Sequence, residues 1–110
     1  MARIVLIKAL AMLLDRELPE QDRAIIIRII EKHDQVLGWH DLRTRQNGDV
    51  YDISFDIEVD SSLTLQTSHR ITKDLEAELV STFGKCDVMI HVDPQGDTED
   101  ERHRVKGIHI

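Results

Sequence analysis

Residues 36–60, VLGWHDLRTRQNGDVYDISFDIEVD, decide the fold. From Tyr51 to Val59 the side chains alternate, with Tyr51, Ile53, Phe55, Ile57 and Val59 on one side and Asp52, Ser54, Asp56 and Glu58 on the other. A period of two belongs to an extended chain with one face in a core and the other wet. Asn47-Gly48 separates this run, 49–60, from another strand-like run at 36–46. Both residue types accept positive φ, so the dipeptide is expected to supply the two central positions of a tight hairpin turn. Alternation along the first run groups His40 with Leu42 and Thr44. The hairpin register, left open by the sequence, decides which way that group points.

Upstream, Ile25, Ile26, Ile29 and Ile30 recur at helical spacing. Pro19, Glu20 and Asp22 suit the first turn, where proline's missing donor is not needed and carboxylates meet the positive end of the helix dipole. Downstream, Leu65, Ile71, Leu75, Leu79 and Val80 mark a second helix over 65–83, with Gly84 placed to end it. The stretch CDVMIHVDP, 86–94, reads as a third strand, with Val88, Ile90 and Val92 pointing one way and Met89, His91 and Asp93 the other. Pro94 removes the next ladder donor. The order is α-β-β-α-β, and the strand-helix-strand connection predicts a right-handed crossover between parallel strands. The simplest packing is an α+β domain, a three-stranded mixed sheet with two helices covering one face.

At 110 residues the chain is one small domain, of a size at which a partner chain or a metal adds needed stability. A net charge of −7 and a pI near 5.2, with no Lys/Arg cluster, argue against a nucleic-acid partner. The single Cys86 excludes an internal disulfide and a thiolate pair, which fits a reducing compartment. The apolar run IVLIKALAMLL, 4–14, is short for a bilayer, is broken by Lys8 and lacks a signal-cleavage pattern, so no direct membrane insertion is expected. It reads either as an amphipathic helix or as the cytosolic end of a longer helix upstream. The tail from Gln95 to Ile110 is polar and unpatterned and is expected to be mobile.

With helices over Tyr51, Ile53, Phe55, Val88, Ile90 and Val92, the residues Asp56, His91 and Asp93 project from the opposite, wetter face. Imidazole nitrogens combined with carboxylate oxygens suit a divalent first-row metal, because together they offset the cost of dehydrating the ion. The same residues also read as ordinary half-exposed strand positions, since an isolated HxD is common. His69, opening the second helix, is placed to overhang a sheet edge, and Trp39 reads as a packing residue. His33 at a helix end, and His103 and His109 in the tail, read as solvated. Ser61, Ser62, Ser68 and Ser81 have no motif around them, no glycine-rich phosphate loop is present, and Cys86 has no evident base. The chain does not read as an enzyme.

Taken together and in order, GWHDLRTRQNG, DISFDIEVD, the histidine of LTLQTSHRITKDLEAEL, and DVMIHVDP resemble the C-terminal cytosolic domain of the cation diffusion facilitator transporters. LLDRELPEQDR is similar to the linker that follows their last membrane helix, and the likeness runs from Leu13 to Pro94. HDLRTR and IHVDP at this separation are far more specific than either alone. The resemblance implies a metallochaperone-like, ferredoxin-like domain over 19–94, preceded by a linker at 1–18 and followed by a flexible tail at 95–110. It implies a homodimer that binds divalent metal near its interface, on the cytoplasmic side of a membrane, attached to a transmembrane domain that moves the cation.

Carried over by motif, the implied metal ligands are His40, His69, His91 and Asp93, with Asp56 standing where zinc-exporting members carry a further histidine. Exchanging imidazole for carboxylate hardens the site and shifts preference from zinc toward iron(II) or manganese. Two other functions fit the same chain: a free-standing soluble metal carrier, and a structural dimerisation domain that no longer binds metal.

Overall fold

The computed structural model describes residues 17–96. Its elements are α1 (Glu20–Lys32), β1 (Gly38–Asn47), β2 (Val50–Val59), α2 (Leu65–Phe83) and β3 (Cys86–Pro94). The strands form one sheet in the order β1-β2-β3, antiparallel between β1 and β2 and parallel between β2 and β3. This is the expected mixed sheet, with β2 at its centre.

Both helices lie on the same face. Ile26, Ile29 and Ile30 of α1 and Ile71, Leu75 and Leu79 of α2 form one buried cluster with Ile53, Phe55, Ile57 and Val59 of β2. Burying a side chain of this size stabilises the fold by roughly 1.5–3 kcal/mol, so the odd positions of β2 carry much of the stability. The even positions Asp52, Ser54, Asp56 and Glu58 stay half-buried on the uncovered face.

The helix ends are made locally. The Pro19 carbonyl accepts the Asp22 and Arg23 N–H groups at 2.9 and 3.0 Å. The Thr64 hydroxyl accepts the Thr67 N–H at 3.0 Å and so caps α2. Gly84, at φ +80°, stops the helix in a conformation that costs a side chain free energy. Leu18, ahead of α1, is 3% exposed and belongs to the core.

The structure corrects two expectations. Asn47 pairs with Val50, so the two turn residues are Gly48 and Asp49, and of these only Gly48 has positive φ, +66°. That is the pattern of a glycine-first II′ turn, displaced by one residue from Asn47-Gly48. The grouping of His40 with Leu42 and Thr44 also fails, because the register slips between His40 and Arg43. His40 pairs with Asp56, whereas Thr44 pairs with Ile53. Asp41 and Leu42 together face one residue of β2, a β-bulge with Asp41 at φ +56°. The extra residue reverses the parity of the strand. His40 therefore stays on the open face, while Leu42 packs against the core and Thr44 is buried, its Oγ1 accepting the Leu18 N–H at 3.2 Å.

Candidate metal centre

His40, Asp56 and His91 form a row across the sheet, one residue per strand. Asp56 of the central strand pairs with His40 of β1 on one side and His91 of β3 on the other. Asp93 stands one pleat further along β3, opposite Glu58. The alternation that buries Ile53, Phe55 and Ile57 turns all of these side chains to the open face. His40 joins them only because the bulge lies after it.

The donor atoms converge. His40 Nε2 lies 3.1 Å from Asp56 Oδ2, 3.9 Å from Asp93 Oδ2 and 4.0 Å from Asp41 Oδ2. His91 Nε2 lies 3.4 Å from Asp93 Oδ1, and its Nδ1 lies 4.0 Å from Asp56 Oδ1. Asp93 is only 3% exposed, and imidazole nitrogens of His91 and His40 lie 3.4 and 3.9 Å from its oxygens. Donors that share one first-row ion at about 2.0–2.2 Å stand about 3–4 Å apart, a range these pairs already occupy. Two groups have donor atoms mutually within 4.8 Å, His40 with Asp41 and Asp56, and Asp56 with His91 and Asp93. Asp56 is common to both, and the residues fit a divalent cation.

Asp41 was not among the residues expected from the sequence. Its carboxylate reaches the site through the positive φ of the bulge, a conformation Asp tolerates better than most residues. The sequence signal was adjacency to His40, which by alternation alone would have sent the carboxylate the other way. Beside the donors, Asp41, Arg43, Ser54, Asp56, Met89 and His91 help line a shallow open depression of about 270 Å³.

His69 is not brought into this cluster within the protomer. It is exposed and lines a separate depression of about 500 Å³ with Val59, Ile90 and Val92, whose side chains belong to the helix-covered face. His33 is not the solvated residue expected. It is largely covered, with Nδ1 accepting the Gln35 N–H at 3.2 Å and Nε2 3.2 Å from Asp74 Oδ2, which ties the end of α1 to α2. Trp39 packs against the core opposite Ile57 and donates from Nε1 to Glu31 at 2.9 Å, so its ring faces away from the donor row. Burial, followed by the Asp87 and Glu76 carboxylates, raises the Cys86 thiol above its ordinary pKa, which suits packing and not nucleophilic attack. His103 and His109 lie outside the described residues.

The family described as the cation efflux protein, cytoplasmic domain, matches residues 18–95. The chain belongs to this family. Its relatives include Protein p34 of Rickettsia prowazekii, 36% identical over 97 residues, a match covering 88% of this chain and 32% of that protein. The cation-efflux pump FieF of Yersinia enterocolitica is 38% identical over 96 residues, covering 87% of this chain and 32% of the pump. This cation-efflux domain thus spans 32% of the length of these relatives. Among solved structures, the metal-bound C-terminal domain of the CzcD transporter from Thermotoga maritima superposes with a TM-score of 0.67 at 29% identity, over 74% of this chain and 100% of that one. No helix among the described residues of the cation-efflux domain is long and apolar enough to cross a membrane.

Proposed function

We propose that this domain is the metal-sensing and dimerisation module of a divalent-cation efflux transporter, with His40, Asp56, His91 and Asp93 holding the cation on the open sheet face. The observation that carries the reading is the row of His40, Asp56 and His91 across three strands, with the buried Asp93 one pleat further along β3. Two acidic side chains this close repel one another until a cation neutralises them. Bound metal would supply that neutralisation. Two protomers would pair as a homodimer with their sites near the interface, and His69, on the other side of the sheet, would enter the ligand set only in the closed pair. Closure follows from differential affinity, because an ion that binds the closed arrangement more tightly shifts the population toward it, by a coupling of about 1–3 kcal/mol. The transmembrane part of the transporter, on whose cytoplasmic side the module would sit, would register closure as a change in the separation of its two cytosolic ends.

The mixture of two imidazoles with two or more carboxylates is harder than an all-nitrogen or thiolate site. It favours manganese or iron(II) more than a histidine at position 56 would. Isothermal calorimetry with zinc, manganese and, under anaerobic conditions, iron(II) tests this on the wild type and on Asp56→Ala and His91→Ala. Sedimentation measured with and without metal follows the pairing. The expected result is metal binding by the wild type that both substitutions weaken at least tenfold, a loss of about 1.4 kcal/mol. Identical isotherms for all three proteins would remove the site.

A further inference from the structure

Glu58 has no part in the ligand set, yet it faces His40 from the side the donors leave free. Its Oε2 lies 3.5 Å from His40 Nδ1, while Nε2 of the same ring points at Asp56 and Asp93. Glu58 does not stand opposite His40 in the ladder. It stands opposite Gly38, two residues earlier. To reach the imidazole, its carboxylate lies diagonally across the Gly38 backbone, and a Cβ built at Gly38 would meet Glu58 Cδ and Oε1 at 3.4 Å. Gly38 has no positive φ, and a methyl there would only touch the Glu58 carboxylate at ordinary contact distance, so it is a larger branched side chain that would crowd it. The folded-over carboxylate and the divided imidazole form a single arrangement.

We infer that Glu58 is a positioning residue that holds the Nδ1 side of the His40 ring and so presents Nε2 to the cation. Metal-bound histidines gain orientation and basicity when their second nitrogen donates to a carboxylate. The cation then chooses between two nitrogens that are no longer equivalent. The inference rests on the metal reading of the open face and adds Glu58 to it.

The experiment uses the full chain with zinc chloride as the probe. Calorimetry is run on the wild type, Glu58→Ala, Glu58→Gln and Gly38→Val, alongside long-range proton–nitrogen NMR of the His40 ring in the zinc-loaded protein. Glu58→Ala is expected to weaken zinc binding by about 10- to 100-fold. Glu58→Gln, whose amide oxygen still accepts the Nδ1–H, recovers part of that loss. Gly38→Val, which crowds the carboxylate, falls between the wild type and Glu58→Ala. The NMR signature of the wild type is zinc on Nε2 with a slowly exchanging Nδ1–H, and Glu58→Ala loses that slow exchange. Wild-type zinc affinity in Glu58→Ala and Glu58→Gln, or zinc on Nδ1 in the wild type, overturns the inference while the site itself stands. A wild type that takes up no zinc overturns both.

Discussion

The covered and open faces of the sheet come from the same ten residues of β2, yet they do opposite work. The covered face is Ile53, Phe55, Ile57 and Val59, all buried against two helices. The open face puts Asp56 between two histidines, with Glu58 and Asp93 nearby, in a cluster whose carboxylates destabilise one another until something positive is added. One residue of offset along a strand thus separates the source of stability from the source of chemistry. Substitutions on the two faces should therefore have separable consequences.

The largest effect tests that separation directly. Phe55→Ala opens a cavity in the core and should cost about 3–5 kcal/mol in urea unfolding. Asp56→Ala, its neighbour, should change metal-free stability by at most about 1 kcal/mol while weakening metal binding at least tenfold. If Asp56→Ala unfolded the domain, or Phe55→Ala weakened only metal binding, the two faces would not be independent. Next in size is the ligand itself. Zinc at a hundred times its dissociation constant should add about 2.7 kcal/mol to the unfolding free energy, read as a rise in Tm that a chelator reverses. The Asp56→Ala protein, binding at least tenfold more weakly, should gain at most about 1.4 kcal/mol under the same conditions.

A smaller effect probes the bulge that decides which residues belong to which face. Thr44→Val removes the acceptor for the Leu18 N–H and should cost about 1–3 kcal/mol with metal affinity unchanged, since the hydroxyl serves the core. A loss of metal affinity instead would place Thr44 on the wrong side. The smallest is Tyr51→Phe, at about 0.5–1.5 kcal/mol. The Tyr51 hydroxyl donates to Asp22 Oδ2 at 2.9 Å, and its pKa is raised by that hydrogen bond, then by burial, then by the Asp22 charge. With the folded pKa above the unfolded value near 10, the contribution is fully present below that pH. It is lost as pH rises through the higher folded value. Urea melts at neutral and alkaline pH should show a stability loss in the wild type that Tyr51→Phe reduces.

Much of this was legible from the residues alone. Alternation from Tyr51 to Val59, helical spacing of the isoleucines in 25–30, and the glycine after Phe83 are local patterns, and each element formed where its pattern lay. The hairpin turn was legible in kind but not in position, because Asn47 and Gly48 both tolerate the required backbone and only the pairing of Asn47 with Val50 selects between them. Of the candidate ligands, Asp56, His91 and Asp93 shared a face by counting in twos. His40 could not be assigned by counting, and Asp41 and Glu58 were not singled out.

The linear chain therefore determined the element order, the apolar and polar sides of β2 and β3, and the chemical types available for a site, since each depends only on neighbours a few residues away. The tertiary structure decided that His40 faces Asp56 and Thr44 does not, that Asp41 joins the donors, that Asp93 is buried, and that His69 lies on the other side of the sheet. Those outcomes turn on a single inserted residue in β1 and on the register of strands distant in sequence, and a change of one residue in either would exchange the two faces.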